Sequence, residues 1–145
     1  MLELRDARVE DLDSIFEIEQ QAFPDPYPKA LLKAFLFFPG AYLVVLSEGK
    51  MIGYAIGIVR YSDQGHIISI AINREYRRGG AGETLLTELV ERLRKIGSTQ
   101  VYLEVRQSNI AAISLYKKIG FVEKGKKERY YSDGETALEM RLSLK

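Results

Sequence analysis

A glycine-rich turn is the first place in the chain where residue types and spacing could do chemistry. It reads Arg77-Arg78-Gly79-Gly80-Ala81-Gly82 and lies between an apolar stretch, Ile67 to Ile72, and an amphipathic segment that begins near Glu83. Glycines let backbone N–H groups approach a ligand closely, and the N-terminus of the following helix favours anionic oxygens. The turn therefore predicts a binding site for a pyrophosphate group.

Two better-known phosphate loops do not match this glycine turn (residues 77–82). It lacks the Gly-Lys-Ser/Thr ending of a nucleotide P-loop, and its glycines lack the Gly-x-Gly-x-x-Gly spacing of a dinucleotide fold. What remains is Arg-x-x-Gly-x-Gly between a strand and a long helix. A plain turn with an exposed arginine is the alternative interpretation.

A second group of candidate residues lies between positions 103 and 121. It contains Leu103-Glu104-Val105-Arg106, then Ser108-Asn109, and ends in Leu115-Tyr116-Lys117-Lys118-Ile119-Gly120-Phe121. A carboxylate can take a proton from an amine, and a tyrosine hydroxyl can supply one. Ordinary structural roles remain open: an ion pair for Glu104, core packing for Tyr116 and a helix N-cap for Asn109.

Alternating strands and helices must position these two groups. Apolar alternation and short apolar runs predict seven strands, and apolar residues at helical spacing predict four helices. The predicted strands cover residues 2–7, 41–46, 51–61, 66–72, 100–105, about 121–130 and about 136–144, and the predicted helices cover residues 12–22, 29–37, 83–96 and 110–119. We therefore expect one α/β domain over residues 1–145 with a mixed sheet.

Composition excludes several kinds of site. The 145 residues are 46% hydrophobic and 28% charged, with no cysteine and one histidine, His66. Disulfides, a cysteine nucleophile and thiolate or histidine-rich metal sites are therefore excluded, and we expect no bound metal. No apolar run reaches the length of a membrane span and the N-terminus does not resemble a secretory signal, so we expect a cytoplasmic protein without a membrane partner.

Charge is distributed unevenly although the net charge is only +1. Residues 1–73 carry 6 basic and 10 acidic side chains, whereas residues 74–145 carry 15 and 10. A positive second half that contains the glycine turn suits a small polyanion, and a nucleic-acid-binding protein would show a stronger overall basic bias. We therefore expect no nucleic-acid partner.

With both motifs in order, the chain resembles the GNAT acetyltransferases, and within them the RimI-type ribosomal-protein-alanine N-acetyltransferases. The resemblance runs from Leu4-Arg5-Asp6-Ala7 near the start to Asp133-Gly134-Glu135 near the end. It implies a single domain whose central mixed, mostly antiparallel sheet of about seven strands is flanked by about four helices. It also implies an N-acetyltransferase that modifies the N-terminal α-amino group of a protein, acting as a monomer or weak homodimer.

The resemblance implies acetyl-CoA as the donor. The pyrophosphate would be held by backbone N–H groups of residues 78–83, and the pantetheine arm would lie along a strand edge. The residues that the resemblance assigns to the cofactor are Ile70, Ala71, Ile72, Arg77, Arg78, Gly79, Gly80, Ala81, Gly82, Glu83, Asn109 and Tyr116. A main-chain site explains why this turn is rich in glycine.

For the chemistry, the resemblance places the base at Glu104 and the acid at Tyr116. A protein α-amino group has a pKa near about 7.7 to 8.0, so a carboxylate can remove its proton at modest cost, directly or through water. Direct transfer is favoured over a covalent enzyme intermediate because the chain has no cysteine and no serine that a histidine evidently activates. The resemblance also puts an oxyanion-stabilising main-chain N–H near Ile72.

The resemblance places the acceptor between the loop after the first helix, residues 23–28, and a strand pair that carries two tyrosines. The implied acceptor-binding residues are Phe23, Pro24, Tyr27, Tyr130 and Tyr131. Packing within a strand is the alternative role for Tyr130 and Tyr131. The loop Phe-Pro-Asp-Pro-Tyr-Pro is richer in proline than is usual in the bacterial relatives, so the preferred first residue of the acceptor does not carry over.

Three hypotheses about function stay open at this point: a protein N-terminal acetyltransferase, a GNAT enzyme acting on a small amine such as a polyamine or amino acid, and a CoA-binding domain without activity. Unpaired acidic groups in the acceptor cleft would favour a cationic small molecule. Exposed backbone-binding groups between Pro24 and Tyr131 would favour a peptide. The presence of both Glu104 and Tyr116 argues against an inactive domain.

Overall fold

Seven strands and four α-helices make up the fold in a computed structural model that describes residues 1–144. The strands are β1 (Leu2–Asp6), β2 (Gly40–Ser47), β3 (Lys50–Arg60), β4 (Gln64–Ile72), β5 (Gln100–Arg106), β6 (Val122–Lys127) and β7 (Ala137–Ser143). The helices are α1 (Leu12–Ala22), α2 (Lys29–Ala34), α3 (Ala81–Lys95) and α4 (Ile110–Ile119). The fold class predicted from the sequence is confirmed: one α/β domain with a mixed, mostly antiparallel seven-stranded sheet and four helices.

The strands form one sheet in the order β1-β2-β3-β4-β5-β7-β6. Neighbours pair antiparallel except β4 and β5, which run parallel. Their pairing covers only three residue pairs, from Gln64 with Gln100 to His66 with Tyr102. Beyond His66 the two strands diverge, so a gap opens in the middle of the sheet.

Two apolar layers cover the two faces of this sheet. On one face α3 buries Leu85, Leu86, Leu89 and Leu93, the stripe that its helical spacing predicts. On the other face α1 and α2 bury Ile15, Ile18 and Leu32 against β2, β3 and β4. α4 packs in the same layer as α3 and contributes Ile113 and Tyr116. Both layers therefore pack on the same sheet, and the gap between β4 and β5 lies within that sheet.

Two predicted boundaries are wrong in an informative way. Helix α3 begins at Ala81 and not near Glu83, because Gly80 has a φ of 85° and acts as its N-cap. Strand β6 ends at Lys127 and not at Tyr130, because Arg129 adopts a φ of 53° and turns the chain out of the sheet. Tyr130 and Tyr131 therefore lie in the loop between β6 and β7, and not on a strand pair.

The remaining predicted elements lie within a few residues of their observed bounds. The predicted helix over residues 29–37 is α2 followed by a short 3₁₀ turn, Phe35–Phe37. Among residues 1–144, no helix has both the length and the apolar composition needed to cross a membrane.

Candidate active site

The gap between β4 and β5 forms a cavity of about 380 Å³. Its walls come from both strands, from the N-terminal half of α4, from the loop between α1 and α2, and from the loop between β6 and β7. The predicted site residues that line it are Phe23, Pro24, Tyr27, Ile70, Glu104, Asn109, Tyr116, Tyr130 and Tyr131. Residues far apart in sequence are therefore brought to one cavity.

The edge of β4 that faces the gap carries unpaired main-chain groups. Asn73 N–H donates to Ile52 O on β3 (2.7 Å). The main-chain groups of successive strand residues point to alternate sides, so those of Ile72 and Ile70 point toward β5. β5 has already diverged there. Arg77 Nε donates to Ile72 O (3.0 Å) and holds the end of the strand. The N–H groups of Ile70 and Ile72, with Ala71 between them, offer an extended edge to a ligand.

The glycine turn follows this edge and leads directly into α3. The first helical hydrogen bond runs from Thr84 N–H to Gly80 O (3.1 Å), so the N–H groups of Ala81, Gly82 and Glu83 have no partner within the helix. Arg78 and Gly80 both have positive φ, 70° and 85°. The turn, residues 77–83, lies beyond the end of β4 and does not line the cavity itself.

Asn109 caps α4. Its Oδ1 accepts a hydrogen bond from Ala112 N–H (3.2 Å), which is the N-cap interaction expected as one of its two roles. The residue also lines the cavity, so capping and contact with a ligand are compatible.

Glu104 lies in the wall of the cavity with its side chain only 8% exposed. Its Oε1 is 2.8 Å from His66 Nε2, and its Oε2 is 2.9 Å from Lys127 Nζ. Burial raises the pKa of this carboxyl, but the hydrogen bonds from His66 and Lys127 outweigh burial and lower the pKa to about 2. Glu104 is therefore a carboxylate with both oxygens engaged.

His66 is held in one tautomer. Arg60 Nε donates to His66 Nδ1 (3.1 Å), and because an arginine nitrogen always donates, Nδ1 accepts and the ring proton is on Nε2. That N–H donates to Glu104. The imidazole also stacks on Tyr102, with the ring centroids 4.3 Å apart. His66 therefore orients Glu104 and is itself fixed on two sides.

Tyr116 projects from α4 and also lines the cavity. Its ring packs against Phe121 in the core (5.7 Å between centroids), which confirms that it has a packing role. Burial raises the pKa of its hydroxyl. Among residues 1–144 the hydroxyl has no hydrogen-bond partner, so a protonated donor stands at the cavity wall.

The loop after α1 is fixed from beneath by a buried carboxylate. Glu19, 2% exposed, accepts a hydrogen bond from Tyr27 N–H (2.9 Å) and others from Tyr54 and Ser69 Oγ (3.0 Å). Burial raises the pKa of Tyr27 to about 12, so its hydroxyl stays protonated. The prolines of the loop add rigidity, so Phe23, Pro24 and Tyr27 form a fixed wall.

The loop between β6 and β7 is joined to this wall through Arg106. The guanidinium forms ion pairs with Asp25, Asp133 and Glu135, each at 2.9 Å, and lies 4.1 Å from the centre of the Tyr131 ring. Tyr131 in turn packs edge-to-face on Tyr130, with centroids 5.0 Å apart. One side chain thus joins the loop after α1 to the loop between β6 and β7.

Sequence reasoning missed four residues of the site: Glu19, His66, Arg106 and Lys127. The sequence analysis assigns His66 no role in the site, yet it contacts Glu104 because β4 and β5 are neighbours. The order of strands cannot be read from local patterns. Arg106 belongs to the motif Leu103-Glu104-Val105-Arg106, and the three carboxylates in the two loops that it joins could have indicated its ion pairs.

Comparison with known proteins agrees with this geometry. A model described as the acetyltransferase (GNAT) family matches residues 12–121. An N-alpha-acetyltransferase of Sulfurisphaera tokodaii is 35% identical, over 97% of this chain and 92% of that protein. A putative [ribosomal protein bS18]-alanine N-acetyltransferase of Bacillus subtilis is 40% identical, over 97% and 95%.

A solved structure gives the same result. The crystal structure of the ribosomal-protein-S18-alanine N-acetyltransferase from Escherichia coli superposes with a TM-score of 0.91 and 33% sequence identity. The match covers 99% of this chain and 94% of that one. Sequence and fold therefore point to the same relatives.

Proposed function

Because the chain belongs to the GNAT family of acetyltransferases, we propose that it transfers the acetyl group of acetyl-CoA directly to the N-terminal α-amino group of a protein. Relatives at 35% and 40% identity over nearly the whole chain carry names for this kind of reaction. The observation that carries the proposal is the cavity between β4 and β5. It has a carboxylate and a tyrosine hydroxyl on its walls and opens between two rigid loops.

The residues of the glycine turn fit the diphosphate of acetyl-CoA. The unpaired N–H groups of Ala81, Gly82 and Glu83 can donate to phosphate oxygens at the positive end of α3. A Cβ added at Gly80 would meet nothing within 4 Å, so this side of the turn is open to a ligand. The free edge of β4 at Ile70 and Ile72 suits the amide groups of the pantetheine arm, as in strand addition.

Acetyl-CoA supplies the thioester whose carbonyl the acceptor amine attacks. Glu104 attracts the acceptor ammonium and takes its proton, directly or through water, so that the amine can react. The N–H groups of Ile70 and Ile72 both point into the gap, so one can stabilise developing negative charge on an oxygen there while the other pairs with the pantetheine arm. The hydroxyl of Tyr116, which also lines the cavity, can give its proton to the CoA thiolate that leaves.

A peptide is the better-supported acceptor. Three carboxylates of the loops beside the cavity, Asp25, Asp133 and Glu135, each pair with Arg106, so they hold the two loops together and are not free contacts for a polyamine. The two loops instead present a channel whose walls carry Tyr27, Tyr130 and Tyr131. Tyrosines of this kind supply both flat contact surface and hydroxyl groups for an extended backbone.

The test is a mass-spectrometric screen of peptides with varied N-terminal residues, together with spermidine and free amino acids, for added acetyl groups. We expect acetylation at the peptide α-amino group. Acetylation of the small amines alone would overturn the proposal. A cytoplasmic location, the monomer or weak homodimer, and the lack of nucleic-acid and membrane partners stay predictions.

Two variants test the catalytic roles. Glu104→Gln and Tyr116→Phe should each lower kcat, by about 10²-fold for the loss of a general base or acid. Both should leave the Kd for acetyl-CoA, measured by calorimetry, nearly unchanged. Tyr61→Phe, at a tyrosine that is 80% exposed, is the matched control. Turnover like that of the wild type in both variants would contradict the assignment.

A further inference from the structure

We propose that Lys127 is a positioning residue that occupies the acceptor's place: its ammonium takes the position at Glu104 Oε2 that the acceptor α-ammonium later takes, and it leaves when the acceptor binds. This inference rests on the proposed function. It assigns to a residue of the edge strand β6 a direct part in acceptor binding.

The first step concerns the space around Glu104. One carboxylate oxygen contacts His66 Nε2 (2.8 Å) and the other contacts Lys127 Nζ (2.9 Å). The side chain is 8% exposed and each oxygen already has one partner, although each also has a second lone pair. A second ammonium beside that of Lys127 would be repelled by it. Direct contact between an acceptor ammonium and Glu104 is therefore favoured when one of the two partners moves away.

His66 is the partner that stays. Its Nδ1 accepts from Arg60, its ring stacks on Tyr102, and its side chain is only 13% exposed. Displacing it would break a hydrogen bond and a stacked contact in addition to its bond to Glu104.

Lys127 is the partner that can leave. It lies at the last position of an edge strand, its side chain is 43% exposed, and its flexible stem can carry the ammonium into water. On the way out the ammonium passes the ring of Tyr130, whose centroid is 5.5 Å away and which lines the cavity. The departing ammonium of Lys127 and an entering acceptor would thus both pass Tyr130.

The exchange also satisfies the electrostatics of the buried carboxylate. Removing one partner of a buried pair leaves an uncompensated charge, which is costly. If one ammonium replaces another, Glu104 remains paired before and after acceptor binding. Lys127 therefore protects the site in the absence of acceptor and competes only with groups that carry positive charge.

The test compares Lys127→Met with Lys127→Arg, and uses Lys126→Met, at the exposed neighbouring lysine of β6, as the matched control. Binding is measured by calorimetry, without acetyl-CoA, for a peptide with a free N-terminus and for the same peptide with a formylated N-terminus. We expect Lys127→Met to lower the Kd of the free peptide about two- to five-fold, the range that a partly exposed ion pair supports. The Kd of the formylated peptide should not change.

Kinetics give a second readout. Lys127→Met should lower the acceptor KM by a similar factor, and Lys127→Arg should keep or raise KM because the guanidinium can still pair with Glu104. Equal changes for both peptides, an unchanged Kd, or a weaker Kd in Lys127→Met would overturn the inference. Because the binding assay involves no transfer, an enzyme that fails to acetylate peptides would overturn the proposed function separately.

Discussion

At the scale of single residues, the site depends on one carboxylate that is buried yet ionised. Glu104 keeps its charge because His66 and Lys127 both donate to it. A carboxyl with so low a pKa would hold a proton only briefly, so in the proposed reaction Glu104 would attract the ammonium and pass its proton on. The same bonds that prepare the site for a cation also contribute to the stability of the fold.

That contribution predicts a pH dependence of stability. Burial raises the pKa of Glu104, but the bonds from His66 and Lys127 lower it from 4.5 to about 2. A lowered pKa contributes stability that is complete above the unfolded value and is lost as the pH falls through the folded value. We therefore expect the difference in unfolding free energy between the wild type and Glu104→Gln to be constant above pH 4.5 and to shrink toward pH 2.

Denaturant unfolding at a series of pH values measures this difference. Glu123→Gln, at an exposed carboxylate of β6, is the control and should show no such change. A difference for Glu104→Gln that stays constant between about pH 4.5 and about pH 2 would show that the two bonds do not lower the pKa of this carboxyl.

The residues proposed to carry the chemistry could be singled out from the sequence, but their contacts could not. Glu104 and Tyr116 stand in a motif whose spacing is visible in the chain, and the cavity does bring them together. His66 and Lys127 reach Glu104 from two different strands, so their contacts depend on strand order and on where β4 and β5 part. No local pattern encodes either.

At the scale of elements, the two ends of α3 provide a matched test of the glycine turn. Gly80 and Gly97 flank the helix, have φ of 85° and 110°, and would each leave an added Cβ in open space. A glutamate at either position is held at positive φ and so carries backbone strain, but only at Gly80 does it place negative charge beside the unpaired N–H groups.

We expect Gly80→Glu to weaken acetyl-CoA binding about tenfold or more, on the order of 1.4 kcal/mol, and Gly97→Glu to leave it nearly unchanged. Calorimetric titration of both variants gives the two Kd values, and thermal unfolding checks that they lose similar stability. Equal Kd values in the two variants would remove the turn from the cofactor site.

Arg106 joins the two loops proposed to bind the acceptor, the loop after α1 and the loop between β6 and β7. Arg106→Gln removes the charge that joins Asp25 to Asp133 and Glu135 and leaves three carboxylates close together. The loops should separate, so the acceptor KM should rise about tenfold while the Kd for acetyl-CoA stays the same. Arg94→Gln, which breaks an exposed ion pair with Glu91, is the control for loss of an arginine.

The elements themselves were largely predictable, because apolar spacing determines them. α3 follows its stripe of leucines, and α1 covers the predicted residues 12–22. The failures occur where single residues with positive φ decide the boundary. Gly80 makes α3 begin before its predicted start, and Arg129 ends β6 before Tyr130 and Tyr131. An arginine does not indicate a positive φ from its residue type.

At the scale of the whole molecule, one sheet connects two apolar layers. Leu89 is buried under α3 on one face and Ile15 under α1 on the other, each fully excluded from solvent. Because both layers pack on the same strands, neither can unfold without exposing the other. The molecule should therefore unfold in one cooperative transition.

Truncating a buried side chain in either layer should therefore have a similar effect on unfolding. Leu89→Ala and Ile15→Ala should each lower the unfolding free energy by about 2 to 5 kcal/mol while the transition stays single. Leu31→Ala, at an exposed leucine of α2, should cost about 0.5 kcal/mol or less. Calorimetric and circular-dichroism melts that disagree for either core variant would indicate that the layers unfold separately.

The gap between β4 and β5 sets a limit on how stable this protein can become. If the strands stayed paired beyond His66, the sheet would gain several ladder hydrogen bonds, each contributing about 0.5 to 1.5 kcal/mol. That closure would fill the space beside Glu104 and cover the edge of β4. Selection for thermal tolerance alone would favour such a closed sheet, so variants chosen only for resistance to heat should include some that have lost activity.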